Sequence, residues 1–197
     1  MGKGRLEAFS DGVIAIIITI MVLELKVPHG DSLVTLQPMI PVFLSYVLSF
    51  TNIGIYWNNH HHMLHAAHKV TGGVLWINIH LLFWLSLFPF ATAWMGENHF
   101  TTWPVALYGI VSLMAGIAYY ILAQCLVHVH GKESTLGIAI GKDRKGILSV
   151  IIYAIGICLA FIKPWMGLST YVLVACMWFI PDRRIEKKIK GNSRSNG

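Results

Sequence analysis

Two groups of ionisable side chains are the first candidates for chemistry in this 197-residue chain. One group lies just before the apolar run at residues 13–25, in the segment Arg5-Leu6-Glu7-Ala8-Phe9-Ser10-Asp11-Gly12. The other group consists of the histidines His60, His61, His62, His65, His68 and His80. An ionisable group on a long apolar helix is costly to bury and by default marks a functional site. Metal binding, haem binding, proton transfer and structural support are therefore the alternatives to distinguish.

The histidines favour a polar network over a metal site. His61 shares a helical face with His65 and with His68, and metal ligands use such spacings. However, three adjacent histidines do not point one way on a helix, and the segment contains neither an acid nor a cysteine. We therefore expect no bound metal. We expect instead that some of these histidines join Trp57 and Asn58 in a pH-sensitive polar network.

Two other functions remain open on these residues. A haem would need two histidines at facing depths, and His80 with His62 or His65 is the available set. Because no CxxCH motif is present, such a haem would be held non-covalently. A proton-coupled transporter would instead use Asp11 or Glu24 as its proton site.

Ser10 and Asp11 also have a purely structural interpretation. Both are good N-cap residues, and an acid in the first turn of a helix interacts favourably with the helix dipole. Capping does not explain Arg5, which lies six residues before Asp11. Arg5 or a histidine from another helix would supply a counter-charge for Asp11 in a poorly hydrated site.

The composition identifies the class of protein. Hydrophobic residues make up 55% of the chain and charged residues only 12%, with a mean hydropathy of +0.62. Soluble domains carry about 25% charged residues, so this chain is predicted to be a polytopic membrane protein. The sequence contains no GxSxG, HExxH, Walker or dinucleotide-binding motif, and we expect no enzyme. The TVGYG filter motif of potassium channels is absent as well.

The apolar segments predict an all-α integral membrane protein with six transmembrane helices. A span needs about 20 apolar residues, and the candidates are residues 9–27, 41–57 (or on to 62), 73–95, 103–127, 146–162 and 165–180. With both termini in the cytoplasm, all Lys and Arg residues except Lys26 and Lys163 fall in cytoplasmic segments. This asymmetry supports the predicted orientation.

The chain is predicted to form one transmembrane domain at residues 1–190 and a disordered tail at residues 191–197. The basic residues after the last span indicate orientation and contact with anionic lipid. They lack interleaved aromatics, so no nucleic-acid partner is expected. The three cysteines Cys125, Cys158 and Cys176 all lie in predicted spans and form no metal or disulfide pattern.

The first predicted helix carries one continuous stripe. Gly12, Ile16, Thr19 and Leu23 are spaced by four, three and four residues, and Ile20 flanks them. The stripe would either pack against helices of the same subunit or, in a symmetric oligomer, surround a central axis. In the second case it would form apolar rings, which gate some pores by dewetting.

The N-terminal segment resembles a known family. Residues 5–28, which include Arg5 and the Phe9-Ser10-Asp11-Gly12 run, are similar to the first helix of the prokaryotic transmembrane protein 175 family. These are potassium-permeable channels related to the endosomal and lysosomal potassium channel of animals. The resemblance implies a homotetramer in the prokaryotic cell membrane that conducts potassium ions passively, with no cofactor.

The resemblance also assigns roles to residues. It implies that the first helix lines the pore, with an inner constriction at Ile16, a middle layer at Thr19 or Ile20 and an outer constriction at Leu23. The signature residues would then hold this helix against the second and third helices; they are Arg5, Phe9, Ser10, Asp11 and Gly12. The candidate partners are Trp57, Asn58, His60, His61, Trp76 and Asn78.

Overall fold

The computed structural model describes residues 2–131, 133–141 and 144–179, apart from the side chains of residues 135, 139 and 144. Every regular element in these ranges is a helix. The α-helices are α1 (Lys3–Leu23), α2 (Ile40–Ala66), α3 (Gly72–Ser86), α4 (Phe88–Glu97), α5 (Thr102–His130), α6 (Thr135–Ile140), α7 (Arg144–Ile162) and α8 (Pro164–Phe179). A 3-10 helix at Leu33–Met39 leads into α2.

The predicted all-α membrane fold is confirmed. Five apolar helical segments of the described chain are long enough to cross a bilayer, and they are Lys3–Leu23, Leu33–Ala66, Gly72–Glu97, Thr102–His130 and Lys145–Ile162. The sixth predicted span corresponds to α8, which is apolar but shorter. The protein is thus a multi-pass membrane protein. The predicted tail at residues 191–197 lies outside the described residues, and the domain limit at residue 190 stays a prediction.

The start of α1 differs from the sequence prediction. The helix begins at Lys3 with Gly2 as its N-cap, six residues before the predicted start at residue 9. Ser10 and Asp11 therefore lie inside the helix, and the capping interpretation of these two residues is wrong. The extra turns are held by the buried side chain of Leu6 and by the Lys3 ammonium, which donates to the carbonyl of His65 at 2.7 Å.

The third predicted span is divided. Residues 73–95 were expected to form one helix, but α3 ends at Ser86 and α4 begins at Phe88. Pro89 explains the break, because proline has no N–H to donate and its ring displaces the carbonyl four residues earlier. At the start of α4 the same residue is well tolerated, since the first N–H groups of a helix lack partners within it.

Two other helix boundaries differ from the sequence prediction. α2 runs to Ala66 and not to residue 57 or 62, so the histidines from His60 to His65 all lie on this helix. The segment between the predicted spans 103–127 and 146–162 contains the last turn of α5 and the short helix α6.

Small residues allow close packing on one side of the bundle. α5 packs against α3, α4, α7 and α8, and α7 packs against α8. A Cβ atom on Gly109 of α5 would overlap the side chains of Tyr171 and Ile157. A Cβ atom on Gly156 of α7 would overlap Thr170. These contacts match the role of small residues in membrane helix interfaces.

The helix ends meet in two places. At one end, the imidazole Nε2 of His130 accepts hydrogen bonds from the backbone N–H groups of His68 (2.9 Å) and Lys69 (3.0 Å), which joins the end of α5 to the α2–α3 connection. At the other end, Lys26 after α1 forms an ion pair with Glu97 at the end of α4. These contacts place the ends of α2 and α5 on one side of the bundle and the ends of α1 and α4 on the other, as expected for consecutive spans.

Candidate functional site

α1 has two distinct faces. Its buried face consists of Leu6, Ser10, Ile14, Ile17 and Met21, which pack toward the rest of the subunit. α2, α3 and α4 all pack against α1. The opposite face is apolar and exposed. A long helix in which only one stripe is buried leaves the other stripe for contact outside the subunit.

The exposed face of α1 is the stripe derived from the sequence. Ile16 is 59% exposed, Leu23 is 74% exposed, and Gly12, Thr19 and Ile20 are exposed as well. The Thr19 hydroxyl donates to the carbonyl of Ala15 at 2.8 Å, so its oxygen retains acceptor capacity outward. None of these five residues is buried against helices of the same subunit.

A buried chain of hydrogen bonds joins the buried face of α1 to α2 and α3. The amide Nδ2 of Asn78 on α3 donates to the Ser10 hydroxyl at 2.9 Å, and its Oδ1 lies 2.7 Å from Nε2 of His60 on α2. All three side chains are almost fully buried. Because the Asn78 oxygen must accept in this arrangement, His60 carries a proton on Nε2. This chain of bonds, which we call the Ser10–Asn78–His60 network, joins α1, α2 and α3.

Asp11 is held by a neutral donor. The indole N–H of Trp57 donates to Asp11 Oδ1 at 3.1 Å, and the Trp57 ring stacks on His61, with ring centroids 6.0 Å apart. His61 in turn stacks on His65. The expected counter-charge from Arg5 is absent here: no side-chain hydrogen bond or ion pair of Arg5 occurs among the described residues.

Four of the residues that were expected to hold α1 in place are exposed in the subunit. Arg5 is exposed, and Phe9 is 53% exposed on the same side of α1 as the stripe. Trp76 is 74% exposed and Asn58 is exposed, and neither makes a side-chain hydrogen bond within the described part of the chain. The role of Arg5 and Phe9 in holding α1 against the second and third helices stays a prediction. Ser10 and Asp11 make those contacts.

A second buried polar cluster was missed at the sequence level. The hydroxyls of Ser49 and Thr92 lie 2.6 Å apart, and the Tyr108 hydroxyl accepts from Asn52 at 2.9 Å and from Ser49 at 3.2 Å. The cluster joins α2, α4 and α5. Ser49 and Asn52 are visible as polar residues in an apolar segment, but nothing in the sequence pairs them with Tyr108.

The histidines do not form a ligand set. Among the described residues, no group of three His, Cys, Asp or Glu side chains is placed to hold a metal ion. Nε2 of His80, which a haem iron would need, accepts a hydrogen bond from the Trp84 indole at 2.8 Å. This contact disfavours the haem alternative.

Comparison with known proteins identifies the family. The sequence model described as "Endosomal/lysosomal potassium channel TMEM175" matches residues 5–89, which include most of α1 and all of α2 and α3. A protein of Chryseobacterium sp. named as a potassium channel is 55% identical over 192 residues, which is 98% of this chain and 100% of that protein. The chain belongs to the TMEM175 family. The resemblance found in residues 5–28 is confirmed.

A solved TMEM175 structure has the same fold. The crystal structure of a lysosomal potassium-selective channel TMEM175 homolog from Chamaesiphon minutus superposes with a TM-score of 0.80 at 27% identity. The match covers 90% of this chain and 96% of that chain. A Gallus gallus relative named as an endosomal/lysosomal proton channel is 35% identical over 103 residues, or 46% of this chain and 21% of that protein.

Proposed function

We propose that this TMEM175 family member is a potassium-permeable cation channel whose pore is lined by the exposed stripe of α1. The observation that carries the proposal is the division of α1 into a buried polar-anchored face and an exposed apolar face. The potassium-channel names of the Chryseobacterium relative and of the Chamaesiphon structure support the choice of ion.

The proposed pore is assembled from copies of α1 around a symmetry axis in the cell membrane. Four subunits would place rings of Ile16 and Leu23 about 10 Å apart along the axis, at ~1.5 Å per residue, with the Thr19 and Ile20 layer between them. An apolar ring offers a permeating ion no replacement for its hydration shell. Sodium holds its water more strongly than potassium, so such rings favour potassium modestly.

The hydrogen bonds of Ser10 and Asp11 determine which face of α1 points away from the subunit. Ser10 and Asp11 bind α3 and α2 through Asn78 and Trp57, at two adjacent positions of the helix. Two such contacts fix the rotation of α1 about its own axis. With that rotation fixed, Ile16 and Leu23 point away from the subunit and toward the proposed axis.

The proposal is tested by potassium flux into liposomes that contain the purified protein. Ile16→Asn puts an amide in the inner ring and is expected to change conductance or ion preference. Ile151→Asn is the matched control, because Ile151 is a similarly exposed isoleucine on α7. Absence of flux from correctly inserted wild-type protein would refute the channel. If Ile16→Asn behaves like Ile151→Asn, the assignment of the pore-lining face is wrong.

The flux assay and an absorption spectrum of the same protein distinguish the alternatives. Flux that saturates and requires a proton gradient would indicate a proton-coupled transporter, for which Asp11 or Glu24 would supply the proton site. A Soret band in the absorption spectrum of the purified protein would indicate a haem protein. Passive flux down the potassium gradient with a colourless sample supports the channel.

A further inference from the structure

The segment that follows α1 carries two opposite charges close to the exposed stripe. The backbone of Glu24, the C-cap residue, is still helical (φ −72°, ψ −13°). Glu24 therefore continues the line of Ile20, four residues earlier, on the exposed side of α1. Lys26 follows two residues later. A cation at this position would oppose other cations that approach the stripe.

The Lys26 ammonium is bound to the end of α4 in a solvent-exposed ion pair. Its Nζ atom lies 2.8 Å from Oε1 of Glu97, the last residue of α4. α4 contacts the buried face of α1, where the Thr92 hydroxyl points to the sulfur of Met21. The ion pair therefore draws Lys26 toward α4 and away from the stripe. The hydrogen bond to Glu97 raises the pKa of Lys26, and Glu24 contributes in the same direction.

Glu24 has no comparable partner. It is exposed, and its carboxylate makes no hydrogen bond or ion pair within the described ranges. Of the two carboxylates, Glu97 is thus hydrogen-bonded to Lys26 beside α4, whereas Glu24 lies beside the stripe without a hydrogen bond or an ion pair.

We propose that Glu97 is a positioning residue of the outer pore mouth, which binds Lys26 beside α4 and leaves Glu24 as the charge that entering cations meet. This inference rests on the proposed pore. Glu97 acts through Lys26 and does not itself face the permeating ion. Glu24 raises the local concentration of cations at the mouth, as charged residues do at other narrow openings.

The size of the effect follows from simple electrostatics. Loss of the Glu97 charge frees Lys26 in every subunit. For four ammonium groups that come to about 10 Å from the axis at ~0.1 M ionic strength, the local cation concentration falls about threefold. At about 1 M salt the screening length shrinks to ~3 Å, and the effect disappears.

The test is a double-mutant cycle on potassium flux at low and high ionic strength. Glu97→Gln is expected to reduce flux about threefold at ~0.1 M salt, and Lys26→Gln to leave it near the wild-type rate. The Lys26→Gln/Glu97→Gln double variant is expected to match Lys26→Gln, because Glu97 acts only through Lys26. Glu24→Gln is expected to reduce flux by a similar factor. Asp31→Asn removes an exposed acid of the same loop and is the control for general charge effects.

Three results would overturn the inference: wild-type flux in Glu97→Gln at low salt, an equal effect of Glu97→Gln in the Lys26→Gln background, or a reduction that persists at ~1 M salt. The second result would indicate simple addition of charges, and the third a structural role. A silent wild-type protein would refute the proposed pore itself, which separates the two failures.

Discussion

Asn78 is the centre of the support for α1, and its removal is the most direct test of that support. Asn78→Ala deletes the hydrogen bonds to Ser10 (2.9 Å) and His60 (2.7 Å) and leaves both groups buried without these partners. An unsatisfied buried polar group costs about 1–3 kcal/mol in proteins, and side-chain hydrogen bonds between membrane helices average ~0.6 kcal/mol. Because the membrane value is small, we take the lower half of the first range, about 1–2 kcal/mol for each group, and expect the free energy of unfolding to fall by about 2–4 kcal/mol for the two groups together.

The assay is thermal denaturation of the purified protein in detergent, combined with potassium flux in liposomes. For a chain of this size, ~1 kcal/mol corresponds to about 2–4 °C in Tm, so Asn78→Ala is expected to lower Tm by ~5–15 °C. Asn58→Ala is the matched control. It makes the same substitution at an exposed position of α2, and its expected effect lies within about 0.5 kcal/mol.

Two outcomes would refute the reasoning. Equal Tm values for Asn78→Ala and Asn58→Ala would mean that the buried network contributes nothing to stability. Strict additivity of Ser10→Ala and Asn78→Ala in a double-mutant cycle would mean that the bond between these two side chains carries no coupling energy.

Two further predictions concern neighbouring contacts. Trp57→Phe keeps a ring to stack on His61 but loses the donor to Asp11. The free energy of unfolding should fall by only about 0.5 kcal/mol, whereas the potassium flux should change. A flux identical to wild type would contradict the orienting role of this bond. Gly109→Ala is expected to destabilise the fold by about 1–3 kcal/mol because its Cβ meets Tyr171. Gly116→Ala on the same helix has ordinary contacts and should be neutral in the same denaturation assay.

Much of the fold follows from the sequence because each span carries its own signal. An apolar run of sufficient length predicts a membrane helix regardless of its neighbours. The break between α3 and α4 at Leu87 could have been predicted from Pro89. It was missed because the sequence is apolar on both sides of this proline. The early start of α1 was not, because the Lys3 contact with the carbonyl of His65 exists only after the helices pack.

The exposed stripe of α1 could be predicted from the sequence, whereas the residues that bind its buried face could not be singled out. The spacing of Ile16, Thr19 and Leu23 defines a stripe without any knowledge of the other helices. The partner of Ser10 depends on the rotation and depth of α3, which a single sequence does not encode locally. For this reason six residues were candidate partners, of which Trp57 and Asn78 bind the signature directly and His60 binds Asn78. Tyr108 was missed because a tyrosine inside an apolar segment is an ordinary core residue.

The two faces of α1 also make this helix a convenient object for engineering. Folding energy comes from the face that contains Ser10 and Ile14, whereas Ile16 and Leu23 contribute little to packing within the subunit. If the proposed pore is correct, substitutions along the outer stripe are therefore expected to vary permeation while the fold of the subunit stays constant. A library restricted to these positions should contain mostly well-folded subunits, so that differences between its members report on the proposed ion pathway.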